Sequence, residues 1–405
     1  MGTLYIGHCD TGCIPQDPNQ FLTPYHNIEG DTALKGRLSF RDDDRSTWRR
    51  FKEVSDGAFT VNDIQQFLNS AGFMPRARQT PVFEYVTQSA TRLFQEYLRT
   101  VEGFDNIVPD GFFGQTTFEH MQRWKSEGLS CPWAGGQQSS EYELWFNLLL
   151  SAQRTYQREK PLALQMVNRH SGPTDTKKID EWTFDKSDIH LIGIRSGEDK
   201  KEEKRKSNDL FLLLVNGQVF KFWGSTDPSS AMTDRRDEAY LVEGQHKYRF
   251  SWHKVTNEKK IYRALRPYND GVLVFRDRDD DNALTAADLK YGLDKQPNPT
   301  INIHWSGIGS SNWSAGCQVI AGSSYINHSG KVIDCSAFSA TSYGELNKDK
   351  KKTKGAYNML ADLVLCYAGH GVDYLYYTLG RDDTLNLAEG LGSNYMRDTL
   401  SSLQV

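Results

Sequence analysis

The sequence lacks several features that define whole classes of protein. Only 6 cysteines occur among 405 residues, too few for a disulfide-stapled scaffold, so free thiols are expected. The formal net charge of -4 at pH 7 gives no basic footprint, so nucleic acid is not an expected partner. No apolar run reaches the roughly 18 residues of a membrane-spanning helix, so no membrane span is predicted.

The N-terminus also lacks a targeting signal. It reads Met-Gly-Thr-Leu-Tyr-Ile-Gly-His, with no basic region followed by an apolar region, which argues against Sec-type export. Ile6 stands where N-myristoylation needs Ser or Thr. We therefore expect a protein that is made in the cytoplasm without a Sec signal.

The residues that are present have a composition typical of globular domains. Hydrophobic residues make up 38% and charged residues 25%, which excludes a largely disordered chain, a collagen-like chain and a coiled coil. The length favours two or three domains. We predict an N-terminal extension over 1–55, a helical domain over 56–150, a connecting segment over 151–185 and a β-rich domain with a C-terminal helix and strand over 186–405.

Hydrophobic periodicity distinguishes the helical part from the β-rich part. It predicts three helices before residue 128, with apolar positions at Val61, Ile64, Phe67 and Leu68, at Ala90–Leu98, and at Phe118, Met121 and Trp124. It predicts strands at Ile189–Ile194, Leu210–Val215, Val219–Trp223, Tyr248–Trp252, Gly271–Phe275, Ile301–His304, Gln318–Ile320 and Asp373–Leu379, and a helix at Ala356–Tyr367. Asn216-Gly217 is a strong hairpin signal. The predicted fold class is α+β: a small helical bundle followed by a β-rich sandwich or barrel.

The segment from Ile301 to Gln318 carries the residues best suited to chemistry. A strand delivers His304, a loop rich in Gly and Ser follows, and a small-residue turn presents Cys317. A Cys nucleophile needs a neighbouring imidazole that takes its proton, and backbone N–H groups that receive an oxyanion. Ser314 and Gly316 lie in the turn that offers those N–H groups. A cysteine beside a glycine is also common as a small buried residue.

His304 followed by Ser314-Ala315-Gly316-Cys317 resembles the catalytic domain of the L,D-transpeptidase (YkuD-type) family. The resemblance covers roughly residues 186–325. It implies that Cys317 is the nucleophile, that His304 is the base, and that the carbonyl of Trp305 or Ser306 orients the imidazole. It also implies a substrate cleft whose expected lining is Trp305, Trp313, Gln318, Ser225, Thr226 and His253.

This chain departs from the family pattern in three ways. Ala315 stands where the family has a second His, Gln318-Val319-Ile320 lacks the family's Arg, and the spacing from His304 to Cys317 is shorter than usual. The first departure removes a donor near the oxyanion, and the second puts the binding of the substrate carboxylate in doubt. Transpeptidase, L,D-carboxypeptidase and endopeptidase outcomes therefore stay open.

A second segment resembles the peptidoglycan-binding helical domain. It contains Ile64-Gln65-Gln66-Phe67-Leu68-Asn69-Ser70-Ala71-Gly72-Phe73, and later Asp110-Gly111-Phe112-Phe113-Gly114-Gln115-Thr116-Thr117. The glycines permit tight turns, so the motif marks the fold better than a binding site. The two resemblances together imply peptidoglycan as the partner.

An acidic segment follows the spacing of a calcium-binding EF-hand loop. Its oxygen ligands would be Asp277, Asp279, Asp281 and Asp288, at loop positions 1, 3, 5 and 12. A solvated acidic turn is the other interpretation. A bound Ca²⁺ would be structural, and no cofactor is expected for catalysis.

These expectations combine into one functional hypothesis with two competitors. The hypothesis is acyl transfer on peptidoglycan stem peptides through a thioester at Cys317. Because the substrate lies outside the cytoplasm, it implies non-classical export by a type VI-like machine or a phage lysis pathway, as for an antibacterial effector with an immunity protein. The competitors are a catalytically impaired wall-binding module and a cysteine peptidase that acts on proteins.

Overall fold

The structure of the protein is a computed structural model. It describes residues 2–14, 40–41, 47–48, 52–54, 59–76, 79–136, 138–196, 207–229, 238–253, 262–279, 284–310, 312, 314–349, 351–368 and 374–404. Within these ranges, no helix combines the length and the apolar character that crossing a membrane requires.

The fold is mixed α+β, as predicted. The helices are α1 (Val61–Ser70), α2 (Tyr85–Thr100), α3 (Gln115–Glu127), α4 (Ser140–Glu159), α5 (Leu162–Arg169), α6 (Ala286–Tyr291), α7 (Tyr343–Lys348), α8 (Ala356–Tyr367), α9 (Leu387–Gly390) and α10 (Tyr395–Leu403). The strands are β1 (His8–Cys9), β2 (Phe40–Arg41), β3 (Thr47–Trp48), β4 (Lys52–Glu53), β5 (His190–Arg195), β6 (Asp209–Val215), β7 (Gln218–Ser225), β8 (Ala239–Leu241), β9 (Gly244–His253), β10 (Tyr262–Pro267), β11 (Val274–Arg276), β12 (Ile303–Trp305), β13 (Gln318–Ile320), β14 (Ser324–Ile326), β15 (Val332–Asp334) and β16 (Tyr374–Arg381).

Eight strands close into a barrel, one of the two architectures that the sequence left open. Their order is β13-β12-β10-β9-β16-β5-β6-β7, and β7 pairs back onto β13. At this seam Val319 pairs with Ser225 and Ile320 with Gly224. A Cβ atom on Gly224 would collide with the Val319 carbonyl oxygen, so the seam requires glycine. The β14–β15 hairpin extends the sheet beyond β7.

The alternation of side chains gives each barrel strand an inner and an outer face. The Tyr377 hydroxyl on β16 donates to Gln318 Oε1 on β13 over 3.0 Å, and these two strands are not neighbours. The bond therefore crosses the interior, so Gln318 points inward. In the parallel pair β12–β13, Ile303 lies opposite Gln318 and His304 opposite Val319. Ile303 is consequently an inner residue, and His304 is an outer one.

Helix α8 joins the barrel to the helical part of the chain. All of its residues are buried, as is typical of a helix that is apolar around its whole circumference. It contacts α2 on one side and β6, β9 and β10 on the other. The buried carboxylate of Asp362 on α8 pairs with the guanidinium groups of Arg92 on α2 and Arg263 on β10. The helical segment and the barrel share one hydrophobic core.

Several local predictions are confirmed. Helix α8 has the predicted bounds, and the third predicted helix is α3. The β6–β7 hairpin turns at Asn216 and Gly217, whose φ angles of 50° and 82° are the left-handed values that an Asn-Gly turn supplies.

Different parts of the barrel's outer face have different surroundings. Around β5, β6 and β7, the outward residues Ile192, Leu212 and Trp223 lie in an apolar cluster with side chains of α4, α5 and α10. The outer faces of β9, β10 and β12 instead carry His253, Tyr262 and His304. This polar stretch is the part of the barrel that adjoins Cys317.

Candidate active site on the outer face of the barrel

Cys317 and His304 lie on the same face of neighbouring strands. Cys317 immediately precedes β13, and the register that pairs Ile303 with Gln318 places Cys317 opposite Asn302. Because side chains alternate along a strand, Asn302, His304 and Cys317 all project from the outer face. The 12 residues between the predicted base and the predicted nucleophile, 305–316, thus bring the chain back to the adjacent strand.

The thiol of Cys317 is half-exposed, and it contacts the backbone of Asn302 and of Thr300. The N–H of Asn302 donates to Sγ over 3.4 Å, and the thiol donates to the carbonyl oxygen of Thr300 over 3.3 Å. An N–H donor at sulfur stabilises a thiolate once the proton has left.

The turn before Cys317 has a conformation that favours glycine. Gly316 has φ of 139°, and a Cβ atom there would lie 2.6 Å from the carbonyl oxygen of Ala239. The Ser314 hydroxyl donates to the carbonyl of Cys317 over 2.7 Å and accepts the N–H of Gly316 over 3.1 Å. Ser314 therefore holds the turn, and the Gly316 N–H that we expected at an oxyanion already has a partner.

His304 is fixed through its Nδ1 atom. Nδ1 lies 2.8 Å from the carbonyl oxygen of Trp305 and 2.9 Å from the hydroxyl of Tyr262. Because a carbonyl oxygen can only accept, Nδ1 carries the proton, and Nε2 is left as the basic nitrogen. Burial raises the pKa of Tyr262 well above its ordinary value, so this hydroxyl stays neutral.

A second imidazole stacks on His304. The rings of His253 and His304 have centroids 4.1 Å apart and planes inclined by 22°. The side-chain amide of Asn302 donates from Nδ2 to Nδ1 of His253 over 2.9 Å. Among the described residues that were expected to contact substrate, His253 is the one whose side chain stacks on His304.

Three other residues that were predicted to contact substrate are buried and hydrogen-bonded within the protein. Gln318 is fully buried inside the barrel, where its Nε2 donates to the Thr226 carbonyl over 3.0 Å. Thr226 is also fully buried, and its hydroxyl donates to Asp209 over 2.7 Å. Ser225 is buried and donates to the Asp227 carbonyl over 3.2 Å. Alternation of side chains along β13 sends Gln318 inward, whereas Ser225 and Thr226 are held by hydrogen bonds at the end of β7.

The remaining predictions at the site concern the two aromatic residues and Ser306. The Trp305 ring is buried, so Trp305 acts on the site through its carbonyl group. Ser306 is half-buried, and its N–H donates to the Ile320 carbonyl over 3.0 Å. Trp313 lies outside the described residues.

The acidic loop brings three of its four predicted ligands together. Carboxylate oxygens of Asp277, Asp279 and Asp288 all lie within 4.8 Å of one another, and Asp281 lies outside the described residues. Oδ2 of Asp288 accepts both the N–H and the hydroxyl of Thr285, and Oδ1 accepts the N–H of Arg278. A carboxylate oxygen has two lone pairs, so Asp288 retains one on Oδ1 and would bind Ca²⁺ through a single oxygen.

Other cysteines have environments unsuited to nucleophilic chemistry. Cys131, Cys335 and Cys366 are buried, and desolvation raises their thiol pKa values. Burial and the neighbouring Glu53 raise the pKa of Cys9 to about 11. A thiol with a raised pKa is a poor source of thiolate, which leaves Cys13 and Cys317 as the half-exposed cysteines.

Sequence reasoning missed Asn302 and Tyr262 as parts of the site. Asn302 precedes His304 by two residues, and the strand period alone would have placed both side chains on one face. Tyr262 reaches the site because it pairs with His253 across β9 and β10, a register that the sequence does not reveal.

Comparisons of the whole chain with family models, with curated proteins and with solved structures find no match. The functional argument therefore rests on the geometry of this site and on the motifs that the sequence contains.

Proposed function

We propose that the protein is a cysteine-dependent acyltransferase that acts on peptidoglycan stem peptides. The observation that carries the proposal is the arrangement of Cys317 and His304 on one outer face, with Nδ1 of His304 committed to the Trp305 carbonyl. A half-exposed thiol on the same face as an oriented imidazole supports thioester chemistry.

The mechanism has two half-reactions. Nε2 of His304 takes the thiol proton, and Sγ of Cys317 attacks a stem-peptide carbonyl, which we place at the third residue. The tetrahedral intermediate collapses, the C–N bond breaks, and the imidazolium returns the proton to the leaving amine. An amine or a water molecule then gives a proton to Nε2 of His304 and attacks the thioester carbonyl, the C–S bond breaks, and the imidazolium returns the proton to Sγ. An amine acceptor gives a transpeptidase, and water gives a carboxypeptidase or endopeptidase.

The substrate class depends on the motif resemblances. The Ser314–Cys317 turn and the Asp110–Thr117 segment both resemble modules that work on peptidoglycan, and the pairing supports that substrate. We propose that the protein reaches the wall by non-classical export as an antibacterial effector, in which case a producing cell would carry an immunity protein.

We also propose that the acidic loop binds a structural Ca²⁺. Calorimetry should show Ca²⁺ uptake, and an unchanged melting temperature after chelation together with no uptake would contradict it.

Product analysis tests the enzymatic proposal. Wild type, Cys317→Ala and Cys13→Ala would each be incubated with intact peptidoglycan and with free tetrapeptide stems, and the products read by mass spectrometry. Cys13 is the matched control because it is also half-exposed. We expect loss of the terminal residue or new cross-links with wild type and Cys13→Ala only.

A second candidate, a catalytically impaired wall-binding module, is favoured by Ala315 and by the absent Arg after Cys317. It predicts that all three proteins sediment with peptidoglycan and that none of them changes it. Cleavage of casein without action on wall peptides would instead indicate a peptidase of proteins.

A further inference from the structure

The proposed reaction does not use the second imidazole, although it is the closest aromatic neighbour of the base that the structure gives. His253 is half-exposed at the end of β9, and its ring covers that of His304 at 4.1 Å. Its position is anchored twice. Asn302 donates to Nδ1 over 2.9 Å, and the ring of Tyr262 packs against it at a centroid distance of 5.3 Å.

Charged and titratable neighbours of the stack come from several elements. His253 on β9 and Tyr262 on β10 contact His304, and Cys317, in the turn before β13, projects from the same face. Behind Tyr262 lie the Tyr343 ring at 5.5 Å and the Lys354 ammonium group at 4.6 Å. Burial raises the pKa values of Tyr262 and Tyr343, so both phenols stay neutral. The Lys354 ammonium group disfavours any added positive charge on the stack.

Asn302 can accommodate His253 with or without a proton on Nδ1. Its Nδ2 donates a hydrogen bond to Nδ1 of the neutral His253 ring. Its Oδ1 is buried and has no hydrogen-bond partner within the described part of the chain. Turning the amide by half a revolution would present Oδ1 to a protonated Nδ1 and would break no other bond. Protonation of His253 is therefore a local event that needs no rearrangement of the barrel.

We propose that His253 is a positioning residue for the His304 base, and that the stacked pair is competent only while His253 is uncharged. This rests on the proposed function. The stacked ring fixes the plane of the His304 imidazole, as orientation of a base requires. If His253 carried a proton, transfer of the Cys317 proton to His304 would put positive charges on two rings whose centroids lie 4.1 Å apart. A partly desolvated site disfavours this arrangement.

The sign of the pH effect follows from this competition. As the pH falls, the stack takes up one proton, and that proton blocks the transfer whether it resides on His253 or on His304. Without a titratable group at position 253, only protonation at His304 is left to block it. For two equal sites that share one proton, removal of one site raises the competent fraction on the acid side about two-fold.

Two substitutions separate the role of the ring from that of the proton. His253→Phe keeps the stacked ring without a proton site, and His253→Gln keeps an acceptor for Asn302 without the ring. At the pH optimum we expect kcat of the Phe variant within about three-fold of wild type, and kcat of the Gln variant roughly ten-fold lower with KM unchanged. The reaction with tetrapeptide stems gives this readout.

Alkylation of Cys317 by iodoacetamide, followed by peptide mass spectrometry from about pH 5 to pH 9, gives a readout that needs no substrate. On the acid side of the titration, the Phe variant should react about two-fold faster than wild type. Melting temperatures confirm that the variants are folded. Coincident pH profiles of wild type and His253→Phe, or equal kcat for the Phe and Gln variants, would overturn the proposal.

The two proposals fail differently. If wild type leaves wall peptides unchanged but the alkylation difference persists, the substrate class is wrong and the coupling of His253 to His304 stands. If wall peptides are processed and the alkylation profiles coincide, the function stands and the role of His253 is wrong.

Discussion

Strand β9 carries one histidine on each face of the barrel, and the two have contrasting surroundings. His246 on the inner face is fully buried between the Thr176 hydroxyl at 3.0 Å and the Val242 carbonyl at 2.9 Å. Burial lowers its pKa to about 3. His253 on the outer face is half-exposed and stacks on another imidazole. The same residue type is thus a neutral structural link inside and, outside, the neighbour of the imidazole that we propose as the base.

Adjacent residues of the Cys motif repeat this contrast. Gln318 is locked inside the barrel between Thr226 and Tyr377, whereas Cys317 opens on the outer face. A residue of a sequence motif therefore lies in the site only if its position in the strand sends its side chain to the outer face.

Thiol reactivity tests the contrast between the outer face and the buried core most directly. In native protein carrying Cys13→Ala, iodoacetamide should label Cys317 at least about 100-fold faster than Cys335, because burial raises the pKa of Cys335 and shields it. Peptide mass spectrometry over time gives both rates, and a urea-unfolded sample provides the control. Comparable rates in the native protein would contradict the assignment of Cys317 as the reactive cysteine.

Acid should destabilise the fold through the inner histidine. The folded-state pKa of His246 lies below its ordinary value, so the unfolded chain binds the extra proton, and stability is lost as the pH falls below about 6.5. We expect His246 to contribute about 3 kcal/mol to the loss between neutral pH and about pH 4. Urea unfolding at several pH values measures this loss.

The matched variants for this acid effect are His246→Gln and His253→Gln. The first should flatten the dependence of stability on pH, and the second should leave most of it in place. Equal slopes of unfolding free energy against pH in both variants would show that His246 does not cause the acid effect.

The turn before Cys317 should be sensitive to a single methyl group. Gly316→Ala puts a Cβ at a backbone with φ of 139° and against the Ala239 carbonyl, so we expect a loss of about 2 kcal/mol in unfolding free energy. Gly330→Ala is the control, because its φ is also positive, at 80°, but a Cβ there meets nothing within 4 Å. Thermal unfolding of both variants measures the difference, and an equal loss would rule out close packing at Gly316.

The smallest expected effect separates two tyrosines on opposite faces. The Tyr262 hydroxyl contacts His304, and the Tyr248 hydroxyl donates to the Ile301 carbonyl over 2.9 Å. Removal of either hydroxyl should cost about 1 kcal/mol of stability. Only Tyr262→Phe should also lower kcat, by roughly ten-fold. Activity and melting curves of both variants give the comparison, and a similar fall in kcat for Tyr248→Phe would argue against a specific role for Tyr262.

Local features of the fold could be predicted from the sequence because local chemistry determines them. Asn216-Gly217 predicts a tight hairpin, and the apolar run at Ala356–Tyr367 predicts a buried helix. Closure of the barrel could not be predicted, because it depends on the contact of β7 with β13, about a hundred residues apart in the chain.

The candidate site shows the same limit. His304 and Cys317 stood out by residue type, and their strands bring them to one face. Asn302 and Tyr262 did not stand out, since their contribution depends on cross-strand register and ring contacts. Gln318 was expected in the cleft because it adjoins Cys317, and Ser225 and Thr226 because the family resemblance implied it. Strand alternation sends Gln318 to the other side.

The central claim is that Cys317 forms a thioester on the outer face of the barrel, and intact-protein mass spectrometry tests it most directly. Wild type and Cys317→Ala would be mixed with excess tetrapeptide stem, quenched with acid, and digested to locate any adduct. The account predicts an acyl adduct on Cys317 of wild type that hydroxylamine removes, and no adduct on the variant. Turnover of the stem without an adduct on Cys317, or an equal adduct on the Ala variant, would contradict it.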